Sequence, residues 1–276
     1  MIYFPNAKIN LGLHITGKRE DGYHNIETVF YPVGLTDILE VIPSKGDING
    51  NTLVSTGISL EIGPSDNLCM RAWDELNKIV SLPGIHIHLH KIIPSGAGLG
   101  GGSSDAAFVL KALNEMFELG LSDFELASIA GRIGSDCPFF IHNTPLLATE
   151  RGNKFEPVEL DLSGYHIVII HPGVSVNTAR AYRGVTIHDH DVSIREIITS
   201  DPSVWQDVLV NDFEPGIFGT YPMVRRIKDI LVAAGSVYAS MTGSGSAVYG
   251  LFENEIDSET LEKEFPGNFL WKGILQ

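Results

Sequence analysis

The feature that most constrains this chain of 276 residues is the run Pro94-Ser95-Gly96-Ala97-Gly98-Leu99-Gly100-Gly101-Gly102-Ser103-Ser104-Asp105-Ala106. Five glycines fall within the seven positions 96–102. That is more than a tight turn requires, and it frees the backbone for positive φ and for close approach to a ligand. Successive N–H groups in such a loop converge into an anion-binding nest. Ser103, Ser104 and Asp105 make a strong helix-capping composition, and Ala106, Val109, Leu110, Leu113 and Phe117 recur behind them at helical spacing. A glycine loop opening onto a helix N-terminus presents orphan N–H groups and the positive end of the macrodipole, which favours phosphate. The expectation is a bound polyphosphate.

Gly96, Gly98 and Gly101 also spell G-x-G-x-x-G. A dinucleotide fold would need a parallel strand after the helix, carrying an acidic residue about 20 positions on. Instead Ser122-Asp123-Phe124-Glu125 is a capping box, and the helix it opens is expected to turn Phe124, Ala127, Ala130 and Ile133 inward. The chain has no Walker-type G-x-x-x-x-G-K-[ST] and no H-R-D or D-F-G of a protein kinase. The formal net charge of −15 argues against nucleic acid or an anionic membrane as partner. Phosphates here would be held by backbone N–H groups, a few placed lysines and Mg²⁺. The two cysteines, Cys69 and Cys137, suggest no disulfide framework, so a reducing cytoplasm fits. Met1–Pro5 does not read as a signal peptide. No apolar run approaches the length of a membrane span, and with few exposed apolar runs a monomer or weak homodimer is expected.

Residues 1–45 alternate like strands, with turns at Gly17–Gly22 and at Gly34-Leu35-Thr36-Asp37. Lys8, Asn10 and Gly12 share one strand face and Ile9, Leu11 and Leu13 the other. Taken alone, Lys8 and Asn10 read as a solvated face. Residues 46–51 are polar, and 52–62 read as strand. Ser65-Asp66-Asn67 is expected to cap a helix burying Leu68, Ala72, Trp73, Leu76 and Val80. His86, His88 and His90 alternate with apolar residues as a polar stripe, and His188 and His190 lie in a polar loop with Asp189 and Asp191. Asp136 falls between a helix end and Pro138, placed by backbone geometry as a turn-former or a catalytic group, with Phe139 and Phe140 as core. Residues 141–164 read as a hairpin turning at Arg151-Gly152-Asn153.

A domain boundary is expected at 160/161, making 1–160 and 161–276 the two domains. Beyond it, strand 165–171, intervening helices, helix Pro222–Ala234, strands Val237–Met241 and Ala247–Phe252, a short helix at Ser258–Phe265 and strand Asn268–Ile274 make roughly βαββαβ. Thr242-Gly243-Ser244-Gly245-Ser246 is a second Gly/Ser loop. Gly22-Tyr23-His24 follows a charged turn; the ring and the imidazole together suit a nucleobase.

Four segments together resemble the GHMP kinases, ATP-dependent kinases of small molecules: Pro5–Leu11, Gly17–His24, Gly98–Ala107 and Gly134–Phe140. The resemblance covers nearly the whole chain and is tightest to members that phosphorylate the 2-hydroxyl of a cytidine-diphosphate-linked methylerythritol, on the non-mevalonate route to isoprenoid precursors. It implies an α+β, two-domain fold, with an N-terminal ribosomal-S5-domain-2-like α/β domain and a C-terminal ferredoxin-like α/β-plait. ATP and substrate would occupy the cleft between them. It makes Pro94, Ser95, Gly96, Ala97, Gly98, Leu99, Gly100, Gly101, Gly102, Ser103 and Ser104 the triphosphate loop, with Ser104 or Ser103 toward Mg²⁺ and Asn67 and Lys91 toward the nucleoside of ATP. Lys8 and Asp136 become the catalytic pair. Asn10, Tyr23, His24, Thr178 and Tyr182 become substrate residues, Tyr23 stacking on cytosine and His24 bonding its edge. The chain departs from the pattern at Asn177 and Tyr182, where Pro and Phe are expected. A kinase of the same fold acting on mevalonate or homoserine would not need Tyr23. A binding module without chemistry would lack Lys8 and Asp136.

Overall fold

The computed structural model describes residues 1–44, 50–59, 63 and 66–276. Residues 46–49 of the polar stretch, 60–62 of the expected strand and Ser65 of the expected cap lie outside them. In chain order the strands are β1 (Ile2–Tyr3), β2 (Asn6–Lys18), β3 (His24–Thr36), β4 (Ile38–Pro43), β5 (Thr52–Gly57), β6 (Ile85–Lys91), β7 (Leu146–Thr149), β8 (Lys154–Pro157), β9 (His166–His171), β10 (Tyr238–Met241), β11 (Val248–Phe252) and β12 (Phe269–Ile274). The helices are α1 (Leu68–Asn77), α2 (Gly101–Met116), α3 (Asp123–Ile133), α4 (Cys137–His142), α5 (Thr178–Arg183), α6 (Ile194–Ile197), α7 (Glu214–Thr220), α8 (Pro222–Ala233) and α9 (Ser258–Glu264).

Contacts divide the chain into two units, one made of Met1–Ala7, Leu35–Ser95 and Gly100–Thr144, the other of Lys8–Gly34, Gly96–Leu99 and Pro145–Gln276. The first unit's sheet runs β1-β4-β6-β5, with β5 parallel to β6. Strict alternation in β6 turns Ile85, Ile87 and Leu89 into the core and His86, His88 and His90 outward. The outward histidines bond Thr52 and Thr56 of β5, which accounts for the polar stripe. The second unit holds the sheet β2-β3-β7-β8 and the sheet β10-β11-β9-β12, whose pairs are all antiparallel. With α8 and α9 as its two crossings, the latter has the strand order of a ferredoxin-like plait.

Several sequence expectations need correction. Helix α2 starts at Gly101, and its cap is Gly100 at φ 73 without a side-chain cap bond; Ser103, Ser104 and Asp105 lie inside the helix. A left-handed glycine turns the chain into the helix by itself, so first-turn N–H groups are left for an outside acceptor. The capping box of α3 is present, but Phe124 is 82% exposed and the buried face is Leu126, Ile129, Ala130 and Ile133. Phe124 lies roughly 200° around the helix from Leu126, on the far side. Helix α1 is capped by the Asn67 side chain, which accepts from Cys69 N at 2.9 Å, and Cys69 takes the fully buried place expected of Leu68. Strand β3 runs on through Gly34, and the break comes at Asp37. Lys8 and Asn10 are 3% and 2% exposed, so this strand is buried on both faces rather than solvated on one.

The hairpin β7–β8, the strand β9 and the helix α8 with Gly235 beyond its end at φ 92 stand where the sequence places them. No described helix is long and apolar enough to cross a membrane.

Candidate active site

The glycine loop divides between the units: Ser95 and Gly100 onward count with the first, Gly96–Leu99 with the second. Positive φ occurs at Gly96, Gly98 and Gly100, the backbone freedom the loop's composition predicts. At position 98 a glycine is required, because a Cβ there would come within 2.1 Å of the Thr242 carbonyl oxygen.

In the second unit this part of the loop is tied to β2. Lys8 N–H donates to Leu99 O at 2.9 Å, and Ala247 N–H to Ala97 O at 3.0 Å. The Thr242 hydroxyl accepts Asn10 N–H at 3.1 Å and has Gly98 O at 3.0 Å and Asn10 Oδ1 at 3.2 Å within donating distance. Lys8 Nζ donates to Asn10 Oδ1 at 2.5 Å and lies 4.6 Å above the centre of the Phe30 ring. Asn10 Nδ2 donates to Thr28 Oγ1 at 3.0 Å, and Tyr249 OH to Asn10 O at 2.7 Å. Lys8 and Asn10 are therefore held at the foot of the loop by side-chain and backbone partners on β2, β3, β11 and Thr242. Thr242, which sequence reasoning did not assign, is the hub; its place at the head of the second Gly/Ser loop was the available signal.

The same unit contains a pocket of about 620 Å³, lined among others by Lys18, Tyr23, His24, Arg151, Thr178 and Tyr182. It gathers four of the five expected substrate residues; Asn10 is not among its lining residues. The rings of His24 and Tyr182 stack at 4.8 Å and 12°, and Tyr182 meets Phe213 edge-on at 4.9 Å. The Arg151 guanidinium lies over the Tyr23 ring at 4.6 Å. Burial, then the Lys18 charge, holds His24 below the usual histidine range. It is thus neutral near pH 7 and offers one donor and one acceptor. The Thr178 hydroxyl bonds Ser244 Oγ at 3.1 Å, joining the pocket rim to the second Gly/Ser loop.

In the first unit, the start of α2 carries Ser104, fully buried, whose Oγ has no hydrogen-bond partner. Ser103 is half-buried and Gly102 exposed. Lys91 continues the inward parity of Ile85, Ile87 and Leu89 and so enters the core as a charge. Asp37 and, at 2.7 Å, Asp105 receive its ammonium. Asp37 also accepts Ile92 N–H at 2.5 Å and Ile93 N–H at 2.9 Å. Burial works against the charge of Lys91, but Asp105 and Asp37 hold its pKa above the usual lysine range. Burial pushes the Asp105 carboxyl up, against the pull of Lys91, and the Asp37 charge adds to the rise. Asp136 is half-buried at the head of α4, makes no cap bond, and accepts Ser135 Oγ–H at 3.3 Å. Burial raises both thiols, Cys137 to about 12, which leaves them inert.

Comparison with known proteins decides the family. The pattern described as the GHMP kinases N terminal domain matches residues 67–144, and that of the GHMP kinases C terminal matches residues 193–269. The 4-diphosphocytidyl-2-C-methyl-D-erythritol kinase of Parabacteroides distasonis is 47% identical over the full length of both chains. The chain belongs to the GHMP kinases. This GHMP kinase is also 52% identical to the like-named enzyme of Bacteroides thetaiotaomicron, over 92% of its own length and 93% of the relative's. A crystal structure of 4-(cytidine 5'-diphospho)-2C-methyl-D-erythritol kinase superposes with a TM-score of 0.84 at 32% identity, covering 100% of this chain and 99% of the other. Methanococcus jannaschii mevalonate kinase superposes with a TM-score of 0.73 at 18% identity, over 100% and 98% of the two chains, a likeness of fold.

Proposed function

We propose that this GHMP kinase transfers the γ-phosphoryl group of ATP to the 2-hydroxyl of 4-diphosphocytidyl-2-C-methyl-D-erythritol, a step on the non-mevalonate route to isoprenoid precursors. The observation that carries the reading is the full-length 47% identity to a kinase of that name. The pocket that gathers Tyr23, His24, Thr178 and Tyr182 supports it, because planar rings and a neutral imidazole suit a pyrimidine base. The enzyme works in the cytoplasm as a monomer or weak homodimer.

Phosphoryl transfer needs positioning and charge neutralisation more than covalent help. The N–H groups of the glycine loop and the uncapped first turn of α2 hold the phosphates. The buried, unpartnered Oγ of Ser104 fits a Mg²⁺ ion held with them. Among the described residues no group of three His, Cys, Asp or Glu side chains forms a metal site, so phosphate oxygens would supply most of the ligands. Bound there, Mg²⁺ neutralises phosphate charge. Asp136 accepts the proton as the substrate oxygen bonds to Pγ and ADP leaves. Lys8 lowers the pKa of that hydroxyl and stabilises the transferring oxygens. Lys91 is taken up by Asp37 and Asp105, so it serves the nucleoside end by fixing the backbone that leads into the loop.

The test measures ADP release with the cytidine-linked substrate, mevalonate and homoserine. The expected result is turnover of the first alone, with a new phosphate monoester by phosphorus NMR. Comparable kcat/KM for either other alcohol overturns the reading.

A further inference from the structure

One cluster of titratable groups takes no part in the proposed chemistry. His14 on β2 is 1% exposed, and neither ring nitrogen has a hydrogen-bond partner. Its ring lies flat on that of His190, with centroids 3.5 Å apart and planes at 1°. His190 Nε2 bonds Asp212 Oδ2 at 3.0 Å. The same oxygen accepts Ile15 N–H at 2.6 Å, and Asp212 N–H donates to Leu13 O at 2.9 Å. Asp212 is thereby fastened to β2, and His190 is fastened to both.

His190 belongs to the segment 184–193 that follows α5. Between residues 186 and 192 every residue except His190 is exposed, and among the described residues no backbone hydrogen bond ties any of these N–H groups. Yet this segment supplies Val185 and Ile187 to the substrate pocket, next to Tyr182 and Arg183 of α5. Val185 packs against the hydrophobic core, and the exposed stretch beyond it, with Ile187, is fastened at His190.

We propose that His14, His190 and Asp212 form a latch that fixes the segment 184–193 against β2 and so positions the Val185–Ile187 wall of the substrate pocket. They are positioning residues for substrate binding, remote from the transferring phosphoryl group. The inference rests on the reading of this pocket as the substrate's.

The latch has a sign in pH. Burial, then His190, holds His14 down to about 4, with Asp212 pulling the other way. His188, Asp189 and Asp191 flank His190 on its own loop. On the elements alongside, Arg195 of α6 gives its backbone N–H to Glu27 of β3 and its guanidinium to Glu156. A released His14 takes a proton near the ordinary histidine value of about 6.5. Latching excludes that proton, so the latched state is fully favoured above about pH 6.5 and loses ground as pH falls toward 4, by up to about tenfold per pH unit.

The experiment compares the full-length enzyme with His190→Ala and His14→Phe. For His190→Ala we expect KM for the cytidine-linked substrate to rise about tenfold at pH 7.5, with kcat and the KM for ATP within twofold. We also expect faster trypsin cleavage after Arg183 in the absence of any ligand. For His14→Phe, which keeps a ring but cannot titrate, the rise of KM between pH 7 and 5.5 expected of the parent should be lost. Unchanged KM and unchanged cleavage in His190→Ala overturn the latch, as does a fall in kcat at constant KM. If His14→Phe does not fold, the His190 variant decides alone. The cleavage readout needs no substrate: faster cleavage in His190→Ala, together with cleavage of the parent that cytidine diphosphate fails to slow, would leave the latch standing and overturn the assignment of the pocket.

Discussion

The end of β6 and the pocket lined by Tyr23, His24 and Tyr182 treat polar groups in contrary ways. At the first, Lys91, Asp37 and Asp105 are all nearly inaccessible and spend their charges on one another. At the second, Tyr23 is 57% exposed, and the aromatic groups are held by ring contacts: Arg151 on Tyr23, and His24 on Tyr182. A buried ion cluster is costly to break and has little left to offer a ligand. A stack at the surface is cheap to hold and keeps polar edges available. The first arrangement fixes the backbone that leads into the glycine loop, and the second leaves ring edges open to a ligand.

The largest expected effect falls in neither region and adds a third class. Asp136→Asn should lower kcat by about 10²–10⁴-fold, the range for a lost general base. Its unfolding midpoint should stay near that of the parent, since asparagine keeps the size and the half-buried place of the side chain at the head of α4. A kcat within threefold of the parent would remove Asp136 from the chemistry. Next comes Lys91→Met, which leaves two buried carboxylates facing each other and should cost about 3–5 kcal/mol in denaturant unfolding. Adding Asp105→Asn should recover part of that loss; if it does not, the cluster is not what holds this corner.

Gly98→Ala combines a positive φ with a Cβ 2.1 Å from the Thr242 carbonyl oxygen. It should cost about 1–3 kcal/mol and raise the KM for ATP. Tyr23→Ala should weaken the cytidine substrate by about 1–3 kcal/mol, read as KM, with stability unchanged. A stability loss there in place of a KM effect would erase the contrast between the two regions. The smallest effect is expected at Phe124→Glu, within about 0.5 kcal/mol, because that ring lies in solvent.

Much of the fold was legible because its signals are local. The glycine loop, the Ser122–Glu125 box, the Arg151-Gly152 turn, Pro222 with Gly235, and the plait strands each follow from backbone preference or short-range periodicity, and each is in place. The errors came where two local signals compete. Serines that cap well lost to a glycine that reaches the left-handed region without strain. A phenylalanine at helical spacing lost to a neighbouring stripe with more apolar members. Lys8 and Asn10 looked solvated because alternation reports that two faces differ, not whether either meets water.

By itself the sequence determined the glycine loop that opens onto a helix, the plait order and the set of polar residues available for chemistry, since all of these depend on residue type and spacing along the chain. Only tertiary structure decided which of those residues remain open to a ligand. Lys91 found two carboxylates distant in sequence, Thr242 found Asn10 and Gly98, and Tyr23 and His24 found Arg151 and Tyr182. A charge or a ring is committed by the partner that reaches it, and that partner is supplied by the folding of distant segments.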